Sequence, residues 1–145
     1  MNTPIEILEM SFPVRVESYE LIPDSGGAGR YRGGLGARRV WRILGNPTHA
    51  SVCSERAVAA PFGLFGGKAG TPTRVSVREP GGEARIRNSK GSFMAPADAL
   101  ITFEVPGAGG FGPPAERDPA SIAADLKDGY VTPDAARRDY GYEAD

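Results

Sequence analysis

Three stretches of this chain are too rich in glycine to form a helix or a regular strand, and the rest must be arranged around them. The densest, residues 23–36 (PDSGGAGRYRGGLG), holds six glycines and two arginines. Residues 61–70 (PFGLFGGKAG) and 106–114 (PGAGGFGPP) are the second and third. Glycine either takes a positive φ or lets one backbone approach another with no Cβ between them. So dense a cluster implies loops whose main chain is closely packed or touches something. Arg30 and Arg32 are the chemistry that the first loop could present, since planar guanidiniums suit carboxylates, phosphates, interface anchoring and the capping of carbonyls.

Between these loops the chain reads as strands. Residues 12–21 alternate, with Val14 and Val16 on one face and Arg15, Glu17 and Tyr19 on the other. Residues 38–44 (RRVWRIL) alternate again, Gly45-Asn46-Pro47-Thr48 reads as a turn, and 50–56 is expected to return as the antiparallel partner. Residues 74–79 and 83–87 form a predicted hairpin across Pro80-Gly81-Gly82, and 100–105 (LITFEV) is the last strand. The aromatic residues of the second loop are expected to pack across it.

The pattern then changes. Asp118 before Pro119 and Thr132 before Pro133 are N-caps followed by first-turn prolines, which predict two short helices ending at Gly129 and Gly141. The fold class expected is mainly β (α+β): a compact antiparallel β-rich domain with glycine-rich loops and two short C-terminal helices. Its segments are an arm over 1–11, a β-rich domain over 12–114 and a helical tail over 115–145. At 145 residues one domain is the default. A net charge of −1 argues against non-specific nucleic-acid binding, and neither a membrane span nor a signal peptide is visible, so the chain is expected in the cytoplasm.

Each suggestive motif fails a physical requirement. Gly107, Gly109 and Gly112 spell G-x-G-x-x-G after a strand, but Pro113-Pro114 follows where a dinucleotide site needs a helix N-terminus. Gly66-Gly67-Lys68 suggests a phosphate loop, yet Phe62 stands where its first glycine belongs and Ala69 where its hydroxyl belongs. His49 and Cys53 are the sole residues of their types, and on one strand they would lie about 13 Å apart, too far to share an ion. Cys53 is expected to be a small buried residue and His49 a turn residue. No catalytic residue and no metal ligand is expected on this chain.

Taken in order, PDSGGAGRYRGGLG at 23–36, Glu55-Arg56, PFGLFGGKAG at 61–70, PGAGGFGPP at 106–114, ERDP at 116–119 and DGYVTPDAARRDYG at 128–141 resemble the C-terminal part of the hydantoinase B family. That family includes subunits of ATP-dependent hydantoinases, 5-oxoprolinases, acetone carboxylase and acetophenone carboxylase. Ala97 and Ala108 depart from its pattern. Because the segment begins at its own methionine, the resemblance is greatest to the small subunit of acetophenone carboxylase, in which ATP drives carboxylation of a ketone by bicarbonate. It implies a small subunit, inactive alone, of a hetero-oligomer with larger hydantoinase A-like and hydantoinase B-like partners. ATP and a divalent metal, Mg or Mn, would be bound by those partners. A ring-opening hydantoinase or oxoprolinase complex, or a non-catalytic scaffold or binding module, are the alternatives. Residues expected at the interface or near substrate are Asp24, Ser25, Arg30, Arg32, Glu55, Arg56, Phe62 and Lys68.

Overall fold

The computed structural model describes residues 3–143. The chain divides into two compact units, each gathered from three stretches. The first contains residues up to Glu20, Arg38–Glu55 and Thr73–Glu104; the second contains Leu21–Ala37, Arg56–Pro72 and everything from Val105 on. The class is mainly β: the described residues form seven strands in two sheets with a few short helices.

The first unit holds the sheets. Strands β1 (Val14–Leu21), β2 (Ala37–Ile43), β4 (Arg74–Arg78), β5 (Ala84–Ile86) and β7 (Leu100–Glu104) form a five-stranded sheet in the order β1-β2-β7-β4-β5. The pairs β2/β7, β7/β4 and β4/β5 are antiparallel, with Trp41 opposite Ile101 and Val77 also opposite Ile101. Alternation decides which face is buried: Val75 and Val77 of β4 are almost fully enclosed, while Arg74 and Arg78 stay in solvent. Ile43, Val77, Ala95, Ala99 and Ile101 make the core, with Val14, Trp41, Ala50 and Phe93 packed on it. Burying each Val or Ile contributes about 1.5–3 kcal/mol.

The 50–56 segment does not return to β2. Its strand, β3 (Thr48–Cys53), pairs antiparallel with β6 (Lys90–Ala95) in a separate two-stranded sheet. The reason is edge availability: β1 and β7 flank β2 on both sides, so no hydrogen-bonding edge remains. Alternation along β3 turns Thr48, Ala50 and Val52 inward and leaves His49, Ser51 and Cys53 outside. Cys53 is thus exposed rather than buried, and His49 is a strand residue. The N-terminal segment, expected as an arm, carries a helix, α1 (Ile5–Ser11), of which only Leu8 is partly buried.

In the second unit, α2 (Pro119–Lys127) begins where Asp118 accepts hydrogen bonds from the amides of Ala120 and Ser121. Helix α3 (Pro133–Ala135) begins at Thr132, whose hydroxyl accepts from the Ala135 amide. It runs into a π-type turn, Ala136–Tyr140, closed by Gly141 in the left-handed region. Ile122, Val131, Ala135 and Ala136 form the small core under these helices. Among the described residues no helix is long and apolar enough to cross a membrane.

Candidate functional site

The three glycine stretches come together in the second unit, and what they build is a core of main chain. They run side by side and exchange backbone hydrogen bonds. The Gly27 amide donates to the Ala108 carbonyl (2.8 Å), Lys68 to Ala28 (2.7 Å), Gly110 to Lys68 (2.9 Å), Leu64 to Gly110 (2.9 Å) and Thr71 to Ser25 (2.9 Å). Side chains have no room between them. A Cβ on Gly107 would stand 1.8 Å from the Ser25 carbonyl oxygen, and one on Gly109 would stand 1.9 Å from that of Phe62. Close approach, not positive φ, is what selects glycine at both positions, as at the crowded axis of collagen.

This lattice engages several of the amides that a phosphate-binding loop would need to leave free. Gly67 donates to Leu64, Lys68 to Ala28, Ala108 to Gly34, Gly110 to Lys68, Phe111 to Tyr31 and Gly112 to Leu64. The Lys68 ammonium is 2.8 Å from Asp139. These six amides are not free to receive the phosphates of a nucleotide. Among the described residues no group of three His, Cys, Asp or Glu side chains could hold a metal ion.

Two polar clamps tie the C-terminal helices to the first glycine loop. Asp24 sits at φ 59° and accepts from both the amide and the hydroxyl of Thr132, each at 2.8 Å. Arg32 forms a fork with Asp125 (2.9 and 3.0 Å), and Arg117 adds a third bond at 2.6 Å. Side chains of all three are nearly buried. Burial alone would push the Asp125 carboxyl up, but the Arg32 and Arg117 guanidiniums outweigh it and hold the group below its ordinary value. Burial raises the Tyr140 phenol. Asp139, opposed by burial but paired with Arg138 and Lys68, is also lowered.

One edge of the lattice carries exposed apolar side chains. Tyr31, Leu64, Phe65 and Phe111 are 46–76% exposed. Isolated bridges join Phe111 to Tyr31 and to Leu64, and the Phe111 ring lies 6.3 Å from Tyr31 and 5.1 Å from Phe65. Arg30 extends over Tyr31 at 5.6 Å, with Glu116 3.7 Å away. The aromatic residues of the second loop therefore face outward, because main chain already fills the space across the loop.

The residues singled out in the sequence separate accordingly. Ser25 is fully buried, its hydroxyl donating to the Ile22 carbonyl and accepting from the Gly36 amide. Asp24 and Arg32 hold the helices. Arg30, Phe62 and Lys68 are on the surface, as is Arg56, which reaches over the Phe62 ring at 5.9 Å. Glu55 belongs to the first unit, where it pairs with Lys90 at 2.6 Å and its carbonyl accepts from Thr73. Sequence reasoning missed Asp125 and Arg117 as a buried pair, and Tyr31, Leu64, Phe65 and Phe111 as a surface. One signal was available: Asp125 falls three residues after Ile122, on the apolar face of α2.

Residues 1–114 match the profile of the family described as hydantoinase B/oxoprolinase. The chain is 34% identical to the caprolactamase subunit beta of Pseudomonas jessenii, over all of its own length and 26% of that subunit. It is 36% identical to the 5-oxoprolinase of Dictyostelium discoideum over 76% of its length and 9% of that protein. The crystal structure of the ATP-dependent caprolactamase superposes on the whole chain with a TM-score of 0.89 at 31% identity, using 26% of that chain. A nucleotide-free acetone carboxylase shares the fold (TM-score 0.71, 23% identity, 96% of this chain and 23% of that one). The sequence thus spans about a quarter of the caprolactamase subunit it matches.

Proposed function

Because the chain belongs to the hydantoinase B/oxoprolinase family, we propose that it is a small non-catalytic subunit, corresponding to the C-terminal part of the family's polypeptides. Its aromatic edge seats a larger hydantoinase B-like subunit within a cytoplasmic, ATP-dependent, multi-subunit enzyme. The observation that carries the reading is a cluster of three rings and Leu64, all exposed, mounted on a lattice of closely packed main chain. Rigid aromatic anchors flanked by arginine are the usual centres of protein interfaces. Arg30 on the rim, together with Arg56, Phe62 and Lys68, extends the surface.

ATP and a divalent metal, magnesium or manganese, are placed by this reading on the larger subunits, hydantoinase A-like ones included. On this chain the lattice amides of Gly67, Lys68, Ala108, Gly110, Phe111 and Gly112 are already engaged. The likeness to caprolactamase at 34% identity favours a cyclic amide, opened by hydrolysis, as the substrate of the assembly. Carboxylation of acetophenone by bicarbonate to benzoylacetate is the second reading.

Phe65→Ala tests the docking role, since Phe65 is 76% exposed and contributes little to the chain's own stability. Recovery of the large subunits on the tagged variant is expected to fall by tenfold or more, with the melting temperature of the isolated chain unchanged. Undiminished recovery would remove the aromatic edge from the interface.

A further inference from the structure

The aromatic edge of the second unit has chemistry that a general docking role does not use. Phe65 stands at φ 50°, a left-handed conformation rare for so bulky a residue. That strain does not bury the side chain, since Phe65 is 76% exposed, and such strain gathers where a ligand is held. Tyr31 and Phe65 flank Phe111, with ring centroids 6.3 and 5.1 Å from its own and planes tilted by 48° and 59°. Rings tilted in this way leave open wedges between them, where flat stacking would close the surface. Two sets of donors beside the rings are unused. Among the described residues neither the Tyr31 hydroxyl nor the Arg30 guanidinium makes a hydrogen bond; Arg30 lies over the Tyr31 ring and has only Glu116, at 3.7 Å, as an ionic neighbour.

We propose that this edge binds a proline-rich segment in the polyproline II conformation, supplied by the larger hydantoinase B-like subunit; the inference rests on the docking role proposed above and names its occupant. The backbone disfavours an added strand. Amides of Tyr31, Leu64, Phe111 and Gly112 already donate to carbonyls within the lattice, so an incoming strand finds those four donors taken. An amphipathic helix docks by sinking a stripe of side chains into a groove, whereas these rings project from the surface. A polyproline II segment needs neither a free edge nor a groove. Its carbonyls have no internal partners and can accept from the Tyr31 hydroxyl and the Arg30 guanidinium. Its pyrrolidine rings fit the wedges, with their C–H edges against the negative ring faces. It rises about 3.1 Å per residue and about 9 Å per turn, so little more than one turn spans the three rings. Being largely ordered before it binds, it loses little conformational entropy on docking.

The full chain, ¹⁵N-labelled, is titrated with a blocked peptide of about ten prolines. A glycine–serine peptide of the same length and a helical peptide of about twenty alanine, glutamate and lysine residues are the controls. Saturable shifts of the Tyr31, Phe65 and Phe111 amide signals are expected with polyproline, with a dissociation constant on the order of 0.1–1 mM and at least about tenfold weaker binding of either control. Phe65→Ala should weaken polyproline binding by about tenfold or more. Tyr31→Phe, which keeps the ring and removes the hydroxyl, should weaken it by about three- to tenfold, and the other backbone signals report that both variants are folded. Polyproline added in excess should also lower recovery of the larger subunit on the tagged chain. Signals at the three rings that polyproline does not move, a control peptide that binds as well, or binding unchanged in both variants overturns the proposal. Recovery that falls with Phe65→Ala but not with polyproline keeps the docking role and overturns the proline-rich occupant. Polyproline bound at the rings with no larger subunit recovered leaves the proline-rich ligand standing and refutes the subunit role alone.

Discussion

Gly107→Ala puts the main-chain lattice to its hardest test. The added Cβ would lie 1.8 Å from the Ser25 carbonyl oxygen and 2.4 Å from its carbon, where ordinary contact needs about 3.4 Å or more. The two segments must therefore part by more than an ångström. Their separation breaks the bond from the Thr71 amide to the Ser25 carbonyl, and the 3.3 Å bond from the Gly107 amide to the Thr71 hydroxyl goes with it. Overpacking costs about 1–3 kcal/mol and a buried backbone group left unpaired about 1–3 kcal/mol more. The total, roughly 2–6 kcal/mol, is a large part of the roughly 5–15 kcal/mol that holds a domain together. Urea unfolding measures it: with a slope of about 1–3 kcal/mol/M, the midpoint should fall by at least about 0.7 M. Gly34→Ala is the matched control, because nothing lies within 4 Å of its added Cβ, and a change within about 0.5 kcal/mol is expected. A Gly107→Ala midpoint as close to wild type as that of Gly34→Ala would refute the lattice.

Three further predictions concern the clamps. Asp125→Ala leaves two nearly buried guanidiniums facing each other and should destabilise the chain by about 3–5 kcal/mol in urea unfolding. Since the folded Asp125 carboxyl is held below its ordinary value, its contribution is complete above the unfolded value near pH 4 and is lost as pH falls through the folded one. Asp125→Asn should accordingly flatten the fall of stability below about pH 4, and a profile parallel to wild type would contradict the pairing. Thr132→Val removes the hydroxyl that donates to Asp24 and caps α3, and about 1–2 kcal/mol should be lost, read as a lower melting temperature.

Much of this was legible in the sequence wherever the signal is local. Val14, Val16, Val75 and Val77 announce strands by alternation, and Asp118-Pro119 and Thr132-Pro133 announce helices through caps that need only three or four residues. The glycine density announced close packing or contact, but not that main chain packs on main chain, because Gly107 and Ser25 meet across 82 positions of sequence. Pairing of β3 with β6 was hidden for a similar reason. Which edge a strand takes depends on which edges β1 and β7 have already closed, and Lys90, Gly91 and Ser92 make β6 a weak strand signal. Arg32 could be seen as a versatile cation. Its partner, Asp125, lies 93 residues away and emerges only when α2 folds onto the loop.

The central claim is that this chain works as a docked subunit of a larger ATP-dependent enzyme. A native purification of the tagged chain from its source cells tests it most directly, with mass identification of what accompanies it and assays of the recovered material for ATP-dependent cyclic-amide hydrolysis and for bicarbonate-dependent ketone carboxylation. The account predicts large hydantoinase-type subunits, with one of the two activities present and lost when Phe65→Ala is used as bait. Recovery of the chain alone, or with such subunits but neither activity, would contradict it.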